Sequence, residues 1–252
     1  AGHTVDRSLL RILIEPTVPC IEVGSSDPGF RCRHVGFDNF LAGRMITDHL
    51  VSLGHTTIGI LAGNPENRHS EERLAGIRSI HDERGLDFAE SRVINASTSK
   101  FELSVGHRTA ERLLKDHPDV TAIICMNDAM AIGAIRRIRE IGLEVPKDIS
   151  VAGFDDICLD DITDSDNRLG AYVTPSLTTI RAPLEAMGRA AATMVAETIN
   201  EGIESFEQKC PVFPPELVVR ESTGPANPRT GAGGLLAVVR ADARKGGETG
   251  HG

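Results

Sequence analysis

The chain has 252 residues, a formal net charge of −9 and a hydrophobic fraction of 40%. This length suits one large domain or two small lobes with enough apolar surface for a core. The acidic balance and the lack of a basic stretch argue against this chain alone binding a nucleic-acid backbone, and its apolar runs are too short to cross a membrane.

Short apolar runs alternate with longer amphipathic stretches from residue 8 to residue 222. In chain order the spacing predicts a helix over 8–15, strands over 18–23 and 33–37, a helix over 38–53, a strand over 56–63, a helix over 71–84, a strand over 91–97, a helix over 102–116, a strand over 120–126, a helix over 129–141, strands over 148–154 and 176–180, a helix over 184–200 and a last strand over 214–222.

The predicted strands are continuously apolar, which is typical of parallel sheets covered on both faces. With right-handed crossovers, the alternation predicts a doubly wound α/β architecture. Residues 223–252 are rich in Gly and Ala and contain no capped element, so we predict a disordered tail there.

Polar side chains follow several of the predicted strands. Asn127 and Asp128 end one strand, Asp155 and Asp156 end another, and a third runs into a polar loop that leads to Arg73. In open parallel sheets ligands bind outside the carboxyl ends of the strands, so this concentration favours a binding site. Structural roles remain open for single residues: Asp128 could cap its helix, and Asp156 could shape a turn.

Catalytic and metal-binding motifs are missing from the sequence. It contains no GxSxG, GKS/GKT or HExxH pattern, and GAGG at 231–234 follows no strand. The nine histidines are dispersed, and the acidic segment 155–170 lacks the glycine of an EF-hand loop. We therefore expect a ligand-binding scaffold rather than an enzyme, with no metal or other cofactor.

The chain has five scattered cysteines and no CxxC pair. Free thiols in a reducing cytoplasm fit this pattern, while a Cys20–Cys32 disulfide in an oxidising compartment stays open. The first ten residues contain no uninterrupted apolar core of the kind found in signal peptides. Both observations favour a cytoplasmic protein.

Five segments carry a resemblance through their order and spacing. They are VGFDN at 35–39, HLVSLGHTTIGILAG at 49–63, RLAGI at 73–77, NDAMAIGAIRRIREIGLEVPKDISVAGFDD at 127–156 and TPSLTTIRAPLEAMGRAAA at 174–192. Together they resemble the effector-binding core of LacI/GalR-family transcriptional regulators, over roughly Ser8 to Ser222. The resemblance implies two doubly wound lobes of the periplasmic binding protein type, joined by three crossovers near Phe37, Arg181 and just after Asn200.

The resemblance also implies the ligand contacts. Arg73 matches an arginine that contacts effector hydroxyl or carboxyl groups, and Phe101 matches an aromatic ring packed on the ligand. Asn127 matches a polar strand-end contact, and Asp155 matches the acidic residue that accepts ligand hydrogen bonds. Such a set suits a sugar or a nucleoside.

The N-terminal lobe implied by the resemblance is incomplete in this sequence, because its first strand, first helix and second strand have no counterpart. We expect residues 1–37 with 182–200 to form that partial lobe, 38–181 with 203–222 to form the C-terminal lobe, and 223–252 to form the tail. The family binds operator DNA as a dimer through a helix-turn-helix, which this chain lacks. The long acidic loop within 156–173 lies where the family forms its dimer interface.

Two other functions stay open from the sequence. A periplasmic sugar-binding protein of a transporter shares the scaffold, although the missing signal sequence and the TPSLTTIRAPLEAMG segment argue against it. An inactive truncated fragment would also fit the incomplete lobe.

Overall fold

The computed structural model describes residues 21–24, 33–63, 67–96, 102–158, 167–201 and 210–227. The predicted helix over 8–15, the site residue Phe101 and the tail beyond residue 227 lie outside these ranges. The strands are β1 (Ile21–Gly24), β2 (Arg33–Phe37), β3 (Ile58–Ala62), β4 (Val93–Asn95), β5 (Ala122–Cys125), β6 (Ser150–Asp155), β7 (Thr178–Arg181), β8 (Val212–Phe213) and β9 (Glu216–Val218). The helices are α1 (Asn39–Ser52), α2 (Arg68–Arg84), α3 (Leu103–Asp116), α4 (Asp128–Glu140), α5 (Leu169–Tyr172) and α6 (Leu184–Glu201), with one 3₁₀ turn at Glu90–Arg92.

Side-chain caps set where the helices begin. Asp38 Oδ1 accepts a hydrogen bond from the backbone N–H of Leu41 at 2.8 Å, which starts α1. Asn67 Oδ1 accepts from the N–H of His69 at 3.0 Å, so α2 begins about a turn before the predicted start at residue 71. Gly85, with a φ of 64°, ends α2 in the left-handed conformation.

The strands form two sheets. The smaller has the order β1-β2-β8, and the larger has the order β4-β3-β5-β6-β7-β9. Among the described strands all neighbouring pairs are parallel except β7 with β9. The predicted α/β class with parallel sheets is therefore confirmed, and the one antiparallel strand is the last.

The larger sheet is covered on both faces, as its continuously apolar strands predict. Ile123 and Cys125 of β5 pack into a core with α3 and α4, whereas Ile124 between them packs into a second core with α1 and α2. This second core also contains Val35 of the smaller sheet and Met187 of α6. The two sheets thus share one apolar cluster.

Three connections between the sheets are visible in the described residues. The chain passes from the smaller to the larger sheet between β2 and α1, returns between β7 and α6, which packs on β1 and β2, and crosses again at residues 214–215 between β8 and β9. The resemblance places this last crossing just after Asn200. The difference arises because β8 extends the smaller sheet beside β2.

Residues 221–227 pack along the amino-terminal ends of the strands, although the sequence assigns 223–227 to the tail. Ser222 is fully buried, and its hydroxyl donates to Val151 O at 2.6 Å. Buried His55 lies 3.0 Å from the carbonyl oxygen of Gly224, and this oxygen can only accept a hydrogen bond. These contacts fasten the segment to the edge of the sheet opposite the strand ends that carry Asp155.

Among the described helices, none is long and apolar enough to span a membrane.

Helices α3 and α4 approach each other through glycines. A methyl group on Gly106 would lie 2.0 Å from Met130 O, and one on Gly133 would lie 2.0 Å from Leu103 O. Both atoms belong to backbone that cannot move aside, so the packing of these helices requires glycine at both positions.

We expect Gly106→Ala to lower the free energy of unfolding by about 1 to 3 kcal/mol, because the added methyl group forces the two helices apart. Gly188→Ala is the matched control: Gly188 lies within α6, and a methyl group added there would meet no neighbouring atom within 4 Å. Its substitution should leave stability unchanged or raise it by up to about 1 kcal/mol through helix propensity. Urea denaturation of both variants checks this, and equal effects would contradict the packing argument.

Candidate ligand-binding site

Arg73 lies on α2 where this helix passes closest to α1. A methyl group on Gly43 of α1 would lie 2.1 Å from the backbone oxygen of Arg73, and one on Gly76 would lie 2.1 Å from Phe40 O. This close approach holds Arg73 beside Asn39 at the start of α1. The position is at the carboxyl-terminal edge of the larger sheet, where the sequence predicts a site.

The Arg73 guanidinium is anchored on three sides. Its Nε donates to Asn39 Oδ1 at 2.9 Å, and its Nη1 donates to the carbonyl oxygen of Met126 at 2.6 Å, beyond the end of β5. The guanidinium carbon lies over the ring of Phe154, 4.5 Å from the ring centre. A guanidinium held this firmly needs little reordering when a ligand binds.

Asp155 provides the fourth contact. Arg73 Nη2 donates to Asp155 Oδ1 at 3.2 Å, so two of the predicted site residues, on α2 and β6, meet in the structure. The Asp155 side chain is 41% exposed, while that of Arg73 is 11% exposed. The carboxylate is therefore the more accessible member of the pair.

The backbone at Asp155 and Asp156 is left-handed, with φ values of 103° and 48°. Such angles are unfavourable for residues with a side chain and persist only where surrounding contacts enforce them. The turn at the end of β6 is therefore held in place by its neighbours, and the buried side chains of Asp156 and Asp128 contribute contacts there.

Asp156 is fully buried and contacts three arginines. Its Oδ2 accepts from Arg181 Nε at 2.7 Å, its Oδ1 accepts from Arg220 Nη2 at 2.8 Å, and Arg168 Nε lies 3.9 Å away. Arg168 also donates to the Asp156 carbonyl oxygen at 3.0 Å. The interpretation of Asp156 as a turn residue thus captures its backbone but misses this ion cluster, which ties β6 to β7 and to the C-terminal segment.

The side chain of Asp128, at the start of α4, also contacts this turn. Its Oδ2 accepts from the backbone N–H of Ile157 at 3.0 Å, and its Oδ1 accepts from the Thr179 hydroxyl at 2.6 Å. Burial raises the pKa of this carboxyl to about 7. Asp128 is not the helix cap proposed from the sequence: Asn127 caps α4, and Asp128 is its first helical residue.

Asn127 stands at the predicted strand end, and its side chain is largely committed to the cap. Its Oδ1 accepts from the N–H of Met130 at 2.8 Å, so its Nδ2 group is the part of the side chain that the cap does not use. Phe101 lies outside the described residues. The structure thus brings Arg73 and Asp155 into contact and places Asn127 next to Met126, whose carbonyl binds Arg73.

Two residues near Arg73 were not predicted. Asn39 is 1% exposed and connects Arg73 to His69, because its Nδ2 lies 3.0 Å from His69 Nδ1. A methyl group on Gly24, at the end of β1, would lie 3.2 Å from His69 Cε1. His69 therefore faces the smaller sheet across the gap between the sheets. Asn39 belongs to the VGFDN segment, which could have indicated its role, and His69 ends the polar loop after β3 that the sequence associates with a site without distinguishing its members.

His69 is neutral at physiological pH in this environment, because burial and the adjacent Arg73 charge lower its pKa. Asn39 Nδ2 can only donate, so Nδ1 of the neutral ring accepts and Nε2 carries the proton. His69 thus presents an N–H donor on the side of β1.

Together these residues offer a carboxylate acceptor, a forked guanidinium donor, an amide donor and an imidazole donor at the edge of two parallel sheets. No member of this described set is arranged as a nucleophile with a base. This combination of fold and side chains is typical of a ligand-binding protein.

Comparisons with known proteins agree with this class. Residues 47–223 match the family described as periplasmic binding protein-like domain. The chain is 36% identical over 227 residues to the HTH-type transcriptional regulator MalR of Streptomyces coelicolor, covering 90% of this chain and 62% of MalR. The chain thus spans about three fifths of the length of this relative.

Solved structures give the same result. A LacI family transcriptional regulator from Enterococcus faecium with bound ribose has a TM-score of 0.73 at 25% identity, covering 88% of this chain and 77% of the other. The transcriptional regulator CelR in complex with cellobiose has a TM-score of 0.73 at 26% identity, covering 86% and 69%. The chain belongs to the periplasmic binding protein-like family, and it is similar in sequence and structure to transcriptional regulators that include LacI family members.

Asp128 makes the stability of the fold depend on pH. Its pKa is about 7 in the folded protein and ordinarily 3.8, so its ionisation favours unfolding. Its contribution is complete below about pH 4 and is lost as the pH rises to 7, at up to about 1.4 kcal/mol per pH unit. Asp128→Asn cannot ionise and can keep both contacts, by accepting from Ile157 and donating to Thr179. We expect the stability of the wild type, relative to this variant, to fall between pH 4 and pH 7 in urea titrations.

Thr179→Val is the companion variant. The Thr179 hydrogen bond lowers the Asp128 pKa, so its loss should extend the decline in stability to higher pH, while the decline still begins near pH 4. Parallel pH profiles of the wild type and Asp128→Asn would contradict a titrating Asp128.

Proposed function

We propose that this chain is the effector-sensing core of a transcriptional regulator and that it binds a sugar or nucleoside at the strand-end edge around Arg73 and Asp155. The observation that carries the proposal is the contact between these two residues, which come from separate elements and meet where ligands bind in this fold. Ribose and cellobiose occupy structurally similar regulators, which supports a hydroxyl-rich effector.

The proposed contacts follow from the chemistry of each group. Asp155 accepts hydrogen bonds from ligand hydroxyls, and the Arg73 fork and the Asn127 amide donate to ligand oxygens. Phe101 packs against an apolar face of the ligand, as the family resemblance implies. Asn39 acts through Arg73, which it orients, and is a positioning residue.

The proposed mechanism involves binding and no chemistry. An effector that contacts both sheets favours the arrangement in which the gap between them is closed, and it shifts the equilibrium by its difference in affinity for the two arrangements. The lobes we propose are 1–37 with 182–200, and 38–181 with 203–222. Residues 210–213 would join the first lobe, because β8 pairs with β2.

The remaining parts of the proposal concern the whole regulator. A homodimer would bind operator DNA through a helix-turn-helix outside this sequence, in the cytoplasm, and the core would have no enzymatic activity. The exposed Tyr172 of α5 lies within the segment 156–173, where the family resemblance places the dimer interface.

A thermal-shift screen with ribose, cellobiose and nucleosides tests the site. A ligand that binds the folded state raises the melting temperature with its concentration. We expect Arg73→Ala and Asp155→Ala each to weaken binding of any such ligand by about tenfold or more, because each leaves the other charge without its partner.

Arg84→Ala is the matched control, because Arg84 lies at the far end of the same helix with its side chain 54% exposed. It should leave the ligand-induced shift unchanged. A shift that survives both Arg73→Ala and Asp155→Ala would place the ligand elsewhere.

A further inference from the structure

We infer that the effector is uncharged, and that Asp155 excludes phosphorylated and carboxylate forms of the same ligand from the site. The inference rests on the proposed function and narrows its ligand class. It follows from the way in which the charges around Arg73 are paired, exposed and shielded.

The first observation is that the charges at this edge are already paired. Arg73 is bound to Asp155, and Arg68 Nε donates to Glu72 Oε1 at 2.8 Å. The other oxygen of Glu72 lies 3.3 Å from Asn39 Nδ2. His69 adds no charge in its neutral form. Arg73 and Arg68 are therefore each paired with a carboxylate, and the remaining arginines at this end of the sheet, Arg168, Arg181 and Arg220, are held around the buried Asp156.

The second observation is which charge a ligand meets first. Of the central pair, the Asp155 carboxylate is 41% exposed and the Arg73 guanidinium is only 11% exposed. Asp155 Oδ1 is engaged by Arg73, and Oδ2 is left to accept from a ligand. An exposed acceptor-only group favours hydroxyl donors and repels a phosphate or carboxylate placed beside it.

The third observation is that Arg73 cannot turn away from Asp155 to bind an anion. Asn39 holds its Nε, Met126 holds its Nη1 and Phe154 covers one face of the guanidinium. A phosphate that reached the fork would lie next to the Asp155 carboxylate, within the same partly buried space. The net charge of −9 on the chain adds a longer-range repulsion of the same sign.

Matched pairs of ligands test the inference: ribose with ribose 5-phosphate, glucose with glucose 6-phosphate, cellobiose with cellobionate, and inosine with its monophosphate. Each is titrated into the wild-type chain by calorimetry at fixed ionic strength. For the pair that binds, we expect the uncharged member to bind at least about tenfold more tightly than its anionic partner.

Asp155→Asn gives the decisive comparison. The amide of this variant does not repel an anionic ligand and does not neutralise the charge of Arg73. Binding of the uncharged ligand should therefore weaken, and binding of the anion should strengthen. The ratio of the two affinities should fall about tenfold or invert. A variant that merely disturbs the fold weakens both members alike and leaves the ratio unchanged, as should the exposed control Asp48→Asn on α1.

The outcomes separate the two proposals. Equal or tighter binding of the anionic member by the wild type overturns the inference and leaves the effector site standing. An unchanged ratio in Asp155→Asn overturns the role of Asp155. If no pair binds to the wild type at all, the proposed function itself fails.

Discussion

The fully buried carboxylate of Asp156, shared among Arg181, Arg220 and Arg168, is the interaction on which the rest of the site depends. It joins the end of β6 to the end of β7, to the C-terminal segment and to the residue that leads into α5. Removing one partner from a buried ion pair costs about 3 to 5 kcal/mol, because the others stay buried without it. Loss of Asp156 would leave three arginines without their shared partner, whereas loss of one arginine would leave Asp156 with two others.

This cluster explains how an unfavourable turn can carry the proposed ligand contact at Asp155. Asp156 on one side and Asp128 on the other fix the two left-handed residues, and Asp155 is thereby held within 3.2 Å of Arg73. Arg181 is also the last residue of β7, just before the chain crosses to α6 on the smaller sheet. The same carboxylate therefore contacts both the turn that carries Asp155 and a connection between the sheets.

The sequence predicted the α/β class, because continuous apolar strands are a local pattern, and the family resemblance assigned Arg73 and Asp155 to one site, where the structure brings them into contact. The sequence did not reveal the roles of Asn39, His69 and Asp156, which depend on contacts between residues 25 to 64 positions apart. The prediction that Asp128 rather than Asn127 could cap α4 failed for the same reason. Either residue can cap a helix, and the Thr179 hydroxyl and the Ile157 amide, on other elements, decide which one turns inward.

Hydrogen exchange of Asp156→Asn compared with the wild type tests most directly whether this carboxylate organises the site. Loss of the shared anion should speed amide exchange in 150–158, 178–182 and 217–223, while α3 and α4, which pack through their own glycines, keep their protection. Unchanged exchange in those three segments would contradict the central role of Asp156.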